Sequence, residues 1–485
     1  MSATFLRRAA PRALLIAALA ASPAALAADK PATAEGAQSL QSFFSGLLPE
    51  AAPGEPALVT VKPDGSAYVV TFDFQAMNGL LKGAPASYEP AVLVYRLYEQ
   101  DDGHWRFVLG SFPKLVVHSE DVTSTFEVRN FSQTLLFDPA IAWWLNGSAR
   151  ADGGVSTTNA PDLNQTITFG PAKAEYATTV GDNGAVSSTA KETFSDLGFK
   201  MTGQSKEGQP VNLDGRFESL GFNVGFDGLK TRKLFDALSL VSANRDNLGP
   251  HADALKGLLH EIVAPGLRLA EGAEGSKGLF TSPFGAITLA GFKIAGGLSD
   301  AGPDSAIDLA VSAEGLSLPV GLAPPGAADL TPSKIDVSAT LKGIDISAAA
   351  STAIDRLRLD GKDRALADED MAKVAEAFLS AGPLRLELQP SHIAAPAIDA
   401  DVQGEVNYAT GHVSGSVTIR MRNFDKTMAA VKNLGPEVQS RALPGLAMAK
   451  GLAKSESDGS LSWIIEVDQN RSISVNGIPL GKAPG

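Results

Sequence analysis

The chain has no cysteine in 485 residues. That removes disulfides, thiolate nucleophiles, thiolate metal ligands and acylation at cysteine, and it spares an exported chain from mispaired bridges. Aromatic residues make up only 7% of the chain. This argues against an outer-membrane barrel, whose wall carries girdles of aromatic rings. Basic residues are outnumbered, 41 against 54 acids, and no Lys/Arg cluster offsets the deficit. A polyanionic surface repels nucleic acid and anionic headgroups, so neither is an expected partner. After the first thirty residues no segment reaches the roughly 20 apolar residues that cross a bilayer as a helix.

The start of the chain has a positive segment with Arg7, Arg8 and Arg12, an uncharged apolar run from Ala13 to Ala21, and a small-x-small signal at Ala25-Leu26-Ala27. This predicts a secretory signal peptide over 1–27, cut between Ala27 and Ala28. Ala9 and Ala10 follow the arginine pair where a twin-arginine signal has bulkier residues, so the general secretory route is expected. Cleavage would leave 458 residues with 38 basic and 54 acidic side chains, a net charge of −16. The expected location is the periplasm, or secretion, with no membrane anchor.

Glycine is abundant, at 48 residues, while charged residues are only 20%. That balance suits many strands joined by tight turns. Leu40, Phe43, Phe44, Leu47 and Leu48 form one helical stripe. Hairpins are expected over 58–74 and 91–109. Asp152 to Pro161 (DGGVSTTNAP) reads as a loop and a domain border, and Leu322 to Pro332 as a second border. Helices are expected over 229–241, from about Pro250, and after Asp368 as N-cap. Val402 to Tyr408 and Val413 to Met421 alternate strictly, as a half-buried antiparallel hairpin does. A second hairpin is expected over 461–475. The resulting division is a signal peptide (1–27), an N-terminal β-rich domain (28–152), a middle α+β segment (153–328) and a C-terminal α+β domain with antiparallel hairpins (329–485).

Four stretches share a pattern of strand, Asp or Asn, then amphipathic helix. They begin at Val69, Phe222, Ser338 and Ser416. Their spacing is too irregular for a solenoid. The polar junction residue is expected to cap the helix that follows. The fold class expected is therefore α+β and β-rich: extended, twisted antiparallel sheets with amphipathic helices packed on one face.

The last ninety residues carry the strand pair from Asp401, a helix, and a terminal hairpin ending Val475-Asn476-Gly477-Ile478-Pro479-Leu480. Here the chain resembles uncharacterised exported proteins of alphaproteobacteria grouped as a domain of unknown function. It is more distantly similar to YdgA-like and AsmA-like envelope proteins, whose alternating strands build long curved sheets. The latter resemblance implies an apolar groove that conducts lipid, although this chain lacks their membrane anchor.

No serine has glycine two residues to either side, and neither a Walker nor a Rossmann glycine pattern occurs. Ser111/Lys114 and Ser188/Lys191 lack the companion motifs of serine–lysine enzymes. His104, His118, His251, His260, His392 and His412 form no ligand spacing, and His260-Glu261 lacks the second histidine of a zincin. Asp399, Asp401 and Glu405 share a strand face that reads as solvated. Ile141 to Leu145, with Trp143 and Trp144, reads as core. No residue is assigned a catalytic, cofactor-binding or metal-binding role, and no enzyme is expected. Two functions remain. One is a non-catalytic binding module with an apolar groove for a lipid or acyl ligand, with Phe222, Phe226, Val417, Ile419 and Met421 lining the groove or filling a core. The other is a structural or protein-interaction factor of the envelope with no small ligand.

Overall fold

The computed structural model describes residues 28–47, 56–80, 86–204, 208–244, 247–319, 326–359, 365–409 and 412–482. The expected signal peptide lies outside these residues. The chain forms two compact units. Unit 1 takes residues up to Val211 together with Gly221–Ile262, and unit 2 takes Asn212–Leu220 and everything from Val263.

Unit 1 begins with α1 (Ala34–Leu47), whose Ala37, Leu40 and Phe44 pack on Val59, Tyr68, Val70 and Leu97. Then come β1 (Val59–Asp64), β2 (Ala67–Asp73), a one-turn α2 (Met77–Leu80), β3 (Ala86–Tyr88), β4 (Val92–Glu99) and β5 (Trp105–Leu109). They are followed by β6 (Leu115–Ser119), β7 (Val122–Arg129), β8 (Ser132–Asp138), β9 (Trp143–Ala151), β10 (Gly153–Ala160), β11 (Leu163–Phe169), β12 (Ala172–Val180) and β13 (Val186–Gln204). β14 (Pro210–Leu229) contributes to both units, and α3 (Thr231–Ala243) and α4 (Ala252–Ile262) close unit 1.

Pairing in this unit is antiparallel throughout. It runs β1–β2–β4–β5–β8–β9–β12–β13, then back through β11–β10–β7–β6–β3. β7 with β8, β9 with β10, and β11 with β12 are halves of long strands that kink at the same level. Asn130 (φ 49°), Gly153 (φ 142°) and, within β13, Asp196 (φ 49°) sit at these kinks in left-handed backbone. Asn and Asp tolerate that region better than other side chains, and glycine tolerates it best. The kink changes which side chains face inward. Ala151 and Gly154 lie three apart, yet the Ala151–Ala172–Phe194 row joins the same core as Val128 and Phe169, the partners of Gly154. Successive strand residues ordinarily alternate faces, so the kink lets one inner face continue across the fold line.

The expected loop over Asp152–Pro161 is thus strand β10, paired with β7 on one side and β11 on the other. Asp152-Gly153 makes only the kink, and Val155 to Thr158, β-branched or hydroxylic, suit an extended backbone. The real turn is at Pro161-Asp162. Of the stretch read as core, Ile141 and Ala142 are buried while Trp143, Trp144 and Leu145 are half-buried, and Trp144 meets Phe107 and Phe137 edge-on at 4.9 and 5.2 Å.

Unit 2 is a meander. Its elements are β15 (Arg268–Ser282), β16 (Gly285–Leu298), β17 (Ser305–Glu314), a 3₁₀ turn (Ala327–Leu330), β18 (Lys334–Ile344), α5 (Ile346–Arg356), α6 (Asp368–Phe378), β19 (Leu384–Ala395), β20 (Ile398–Ala409) and β21 (His412–Arg422). α7 (Phe424–Lys432), α8 (Pro436–Leu452), β22 (Lys454–Ser455), β23 (Leu461–Val467), β24 (Ser472–Val475) and β25 (Ile478–Lys482) follow. Each strand from β15 to β21 pairs antiparallel with the next, then β21 pairs with β23, β23 with β24 and β24 with β25. The expected hairpins at 401–422 and 461–475 are both present. Position 328 falls inside the 3₁₀ turn, where Asp329 accepts a hydrogen bond from the Ala397 amide.

The architecture is α+β and β-rich, with helices laid on antiparallel sheet. All four strand–polar–helix stretches are strand-to-helix junctions: β2 to α2, β14 to α3, β18 to α5 and β21 to α7. Their polar residues do different work. Asp345 caps α5 by accepting from the Ala348 amide at 2.8 Å. Asp73 accepts from the Gln75 amide two residues on. Asp227 instead accepts from the Ser187 hydroxyl, and Asn423 caps with backbone alone in left-handed conformation. Asp368 is the first residue of α6 rather than its cap. Asp370 serves that end, accepting from the Ala367 amide and from Arg356 and Arg358.

Candidate ligand-binding face

In an antiparallel pair, directly opposed residues point to the same side of the sheet. The register of unit 2 therefore lines up whole rows of side chains. One row runs Leu269, Leu298, Ile307, Leu341, Leu386, Val406, Gly415, Val467, Ile473 from β15 to β24. The next, two residues along, alternates small and large through Gly296, Leu309, Ala339, Leu388, Gly404 and Val417. A third holds Ile294 and Val311. Apart from Glu271 at one margin, these rows carry no charge. Eight inter-strand steps of about 4.8 Å make the first row roughly 38 Å long.

The opposite side is polar. Thr340 donates to Asp308 at 2.6 Å, and Lys342 pairs with Glu387 at 2.7 Å. Asp401 holds His392 Nδ1 at 2.8 Å and Arg422 at 2.7 Å, and Arg422 also reaches Asp399 at 2.8 Å. Burial opposes ionisation of Asp401, but His392 and Arg422 outweigh it and hold its carboxyl below the usual carboxylate range. Asp399 and Asp401 thus lie on the polar side in an ion-pair ladder, and Glu405 is an exposed residue of the same side. Among the described residues no three His, Asp or Glu side chains are grouped to hold a metal ion.

The apolar side is covered unevenly. Over β21 to β24 it is roofed by α7 and α8. Phe424, Trp463 and Val475 are buried there with Ile419, Met421, Met428 and Leu446. The Trp463 indole N–H donates to the Ala449 carbonyl of α8 at 2.7 Å. Towards β15 the same rows lie open. Leu309 is 53% exposed, Leu269 and Leu386 48%, Ile294 44% and Ile307 39%. Contiguous exposed aliphatic patches are uncommon on protein surfaces and mark sites of interaction.

The structure separates the five residues read as groove or core. Val417 belongs to the second row, and Ile419 and Met421 follow it on the same side of β21, beneath the helical roof. Phe222 and Phe226 lie in unit 1, against Phe194 and Trp143. Sequence reasoning missed the exposed positions on β15 to β19. Their alternation is diluted by glycine and alanine, so no single strand announces it.

Unit 1 carries a different feature. A cavity of about 190 Å³ opens beside the start of α3, where Lys230, Arg232 and Lys233 meet Glu261 of α4. Lys233 lies 3.0 Å and Lys230 3.9 Å from the Glu261 carboxylate.

A family described as "Uncharacterized protein conserved in bacteria (DUF2125)" matches residues 270–484. The match covers the aliphatic rows from β15 through β24 except Leu269 at their margin. No curated protein and no solved structure matches the chain.

Proposed function

We propose that this is an exported, non-catalytic binding protein of the bacterial envelope, and that acyl chains bind on the open aliphatic face of unit 2. The observation that carries this reading is the group of five exposed Leu and Ile side chains contributed by β15, β16, β17 and β19, on a side almost free of hydrogen-bonding groups. A hydrocarbon chain meets such a face without leaving a polar group unpaired, and burying apolar area stabilises the complex by about 25 cal/mol per Å². The alternation of small and large side chains in the second row gives a flexible chain a surface to interdigitate with. The signal-peptide pattern over 1–27 and the resemblance to AsmA-like envelope proteins agree with a lipid-handling role outside the cytoplasm.

The test is mass spectrometry of an organic extract from protein purified without detergent. A stoichiometric phospholipid or fatty acyl species, depleted in a Leu309→Ser/Leu386→Ser variant that still folds, is the expected result. A lipid-free extract from folded wild-type protein would overturn the reading. Envelope crosslinking would then test the structural or protein-interaction role.

A further inference from the structure

We infer that unit 1 holds a second, separate binding site: the cavity at the start of α3 takes one phosphate group. The cavity volume of about 190 Å³ is that of roughly six waters in the liquid, enough for a phosphate with part of its substituent. Asn183 and Gly184, from the turn between β12 and β13, and Ile141 complete the wall.

The charges around it do not balance. Arg232 is paired with Asp236 at 3.0 Å and donates to the Pro139 carbonyl at 3.2 Å. Glu261 is shared between Lys233 and the more distant Lys230. Three cations against two carboxylates leave one positive charge in excess, in a chain whose net charge is −13. Their position is also unfavourable for the helix. Lys230 is the N-cap residue of α3, no acid stands in its first turn, and no side chain caps it. Cations at that end oppose the helix dipole, and a sequence shaped by stability alone would place Ser, Asp or Glu there. Local rules are broken in this way where a ligand supplies what is missing. A phosphate in the cavity would neutralise the excess cation and sit where the dipole favours negative charge. The inference rests on the cation-lined cavity rather than on the helix end alone, and it is independent of the acyl-binding reading of unit 2.

The experiment is calorimetric titration of the full chain with inorganic phosphate and, in parallel, with glycerol 3-phosphate, a headgroup fragment that carries no acyl chain to engage unit 2. Saturable one-to-one binding is expected, weakened at least tenfold by Lys230→Met and strengthened severalfold by Glu261→Gln, which removes the competing carboxylate. Equal affinity for both probes would identify free phosphate as the ligand, and a tenfold preference for the glycerol ester would identify a headgroup. Absence of saturable binding to either probe would overturn the inference. So would binding that a folded Lys230→Met variant retains in full. Circular dichroism of each variant checks folding, and the gain expected for Glu261→Gln cannot arise from misfolding.

Discussion

The two units use the same antiparallel grammar and treat their apolar sides in opposite ways. In unit 1 the long strands kink at one level, the inner face continues across the fold line, and rings close it: Phe169 with Phe194 at 5.6 Å, Phe112 with Phe131 at 5.9 Å. Leu97 and Leu109 end up 1% exposed. In unit 2 the rows are aliphatic, and among the described residues the roof of α7 and α8 covers the β21–β24 end. A period-two pattern therefore specifies a side, but not whether that side becomes a core or a surface. The kinks, the aromatic rings and the placement of helices decide that.

The sharpest way to break the comparison is to remove a leucine from each side. Leu97→Ala should cost about 2–5 kcal/mol, as deletions in closed cores do. Leu309→Ala should stay within about 1 kcal/mol while lowering the lipid retained. Chemical denaturation of the two variants measures both costs, and equal costs would erase the distinction. Glycines give the next contrast. A Cβ at Gly153 would stand 2.6 Å from the Phe169 carbonyl oxygen, in a left-handed conformation, so Gly153→Ala should cost roughly 1–3 kcal/mol. At Gly296 the nearest atoms are 3.6 Å away. Gly296→Ala should leave the melting temperature almost unchanged and raise the floor of the proposed acyl site, an effect the lipid extract would reveal.

Within unit 2, Asp345→Ala should cost about 1 kcal/mol through the lost cap. Asp368→Ala, which removes no cap, should cost a few tenths, and thermal melts of the pair test the assignment. The smallest effect is a difference in sign with pH. The carboxyl of Asp401 is depressed in the fold, so its contribution is present above the ordinary aspartate range and fades as pH falls through the folded value. Burial raises the carboxyl of Glu192 in unit 1. Glu192 therefore costs stability above its folded value, and acid relieves the cost. Glu192→Gln should stabilise at pH 7 and lose that advantage near pH 4. Asp401→Asn should destabilise at pH 7 and become neutral in strong acid. Denaturation midpoints at several pH values would show the two trends crossing, and parallel trends would refute the assignments.

Much of the fold was legible where local chemistry and tertiary structure agree. Val402 to Tyr408 and Val413 to Met421 alternate without interruption, and both are strands in the anticipated register. The four strand-to-helix junctions were visible because each switches from period two to period 3.6 at a polar residue. The kinks were not visible. Asp152-Gly153 looks the same in a loop as in a kinked strand, and only pairing with distant β7 and β11 distinguishes them. The open face was legible only in part. The alternation on β20 and β21 pointed to it, but its exposed portion draws one or two residues from each of four strands, through stretches such as Ala286 to Leu298 where Gly and Ala blur the period. The cation-lined cavity was hidden for a different reason. Lys230 and Lys233 are adjacent in sequence to ordinary helix residues, and the carboxylate that exposes their imbalance is about thirty positions away.

The indole bond between Trp463 and Ala449 has an optical consequence. The chain has four tryptophans, and Trp105, Trp143 and Trp144 all belong to unit 1. Trp463 alone belongs to unit 2, where it is 6% exposed beneath α8. The molecule thus carries its own fluorophore at the edge of the aliphatic face. With the other three replaced by phenylalanine, the remaining emission would report whether the roof stays seated, shifting to the red as water reaches the ring and to the blue as a hydrocarbon chain displaces it.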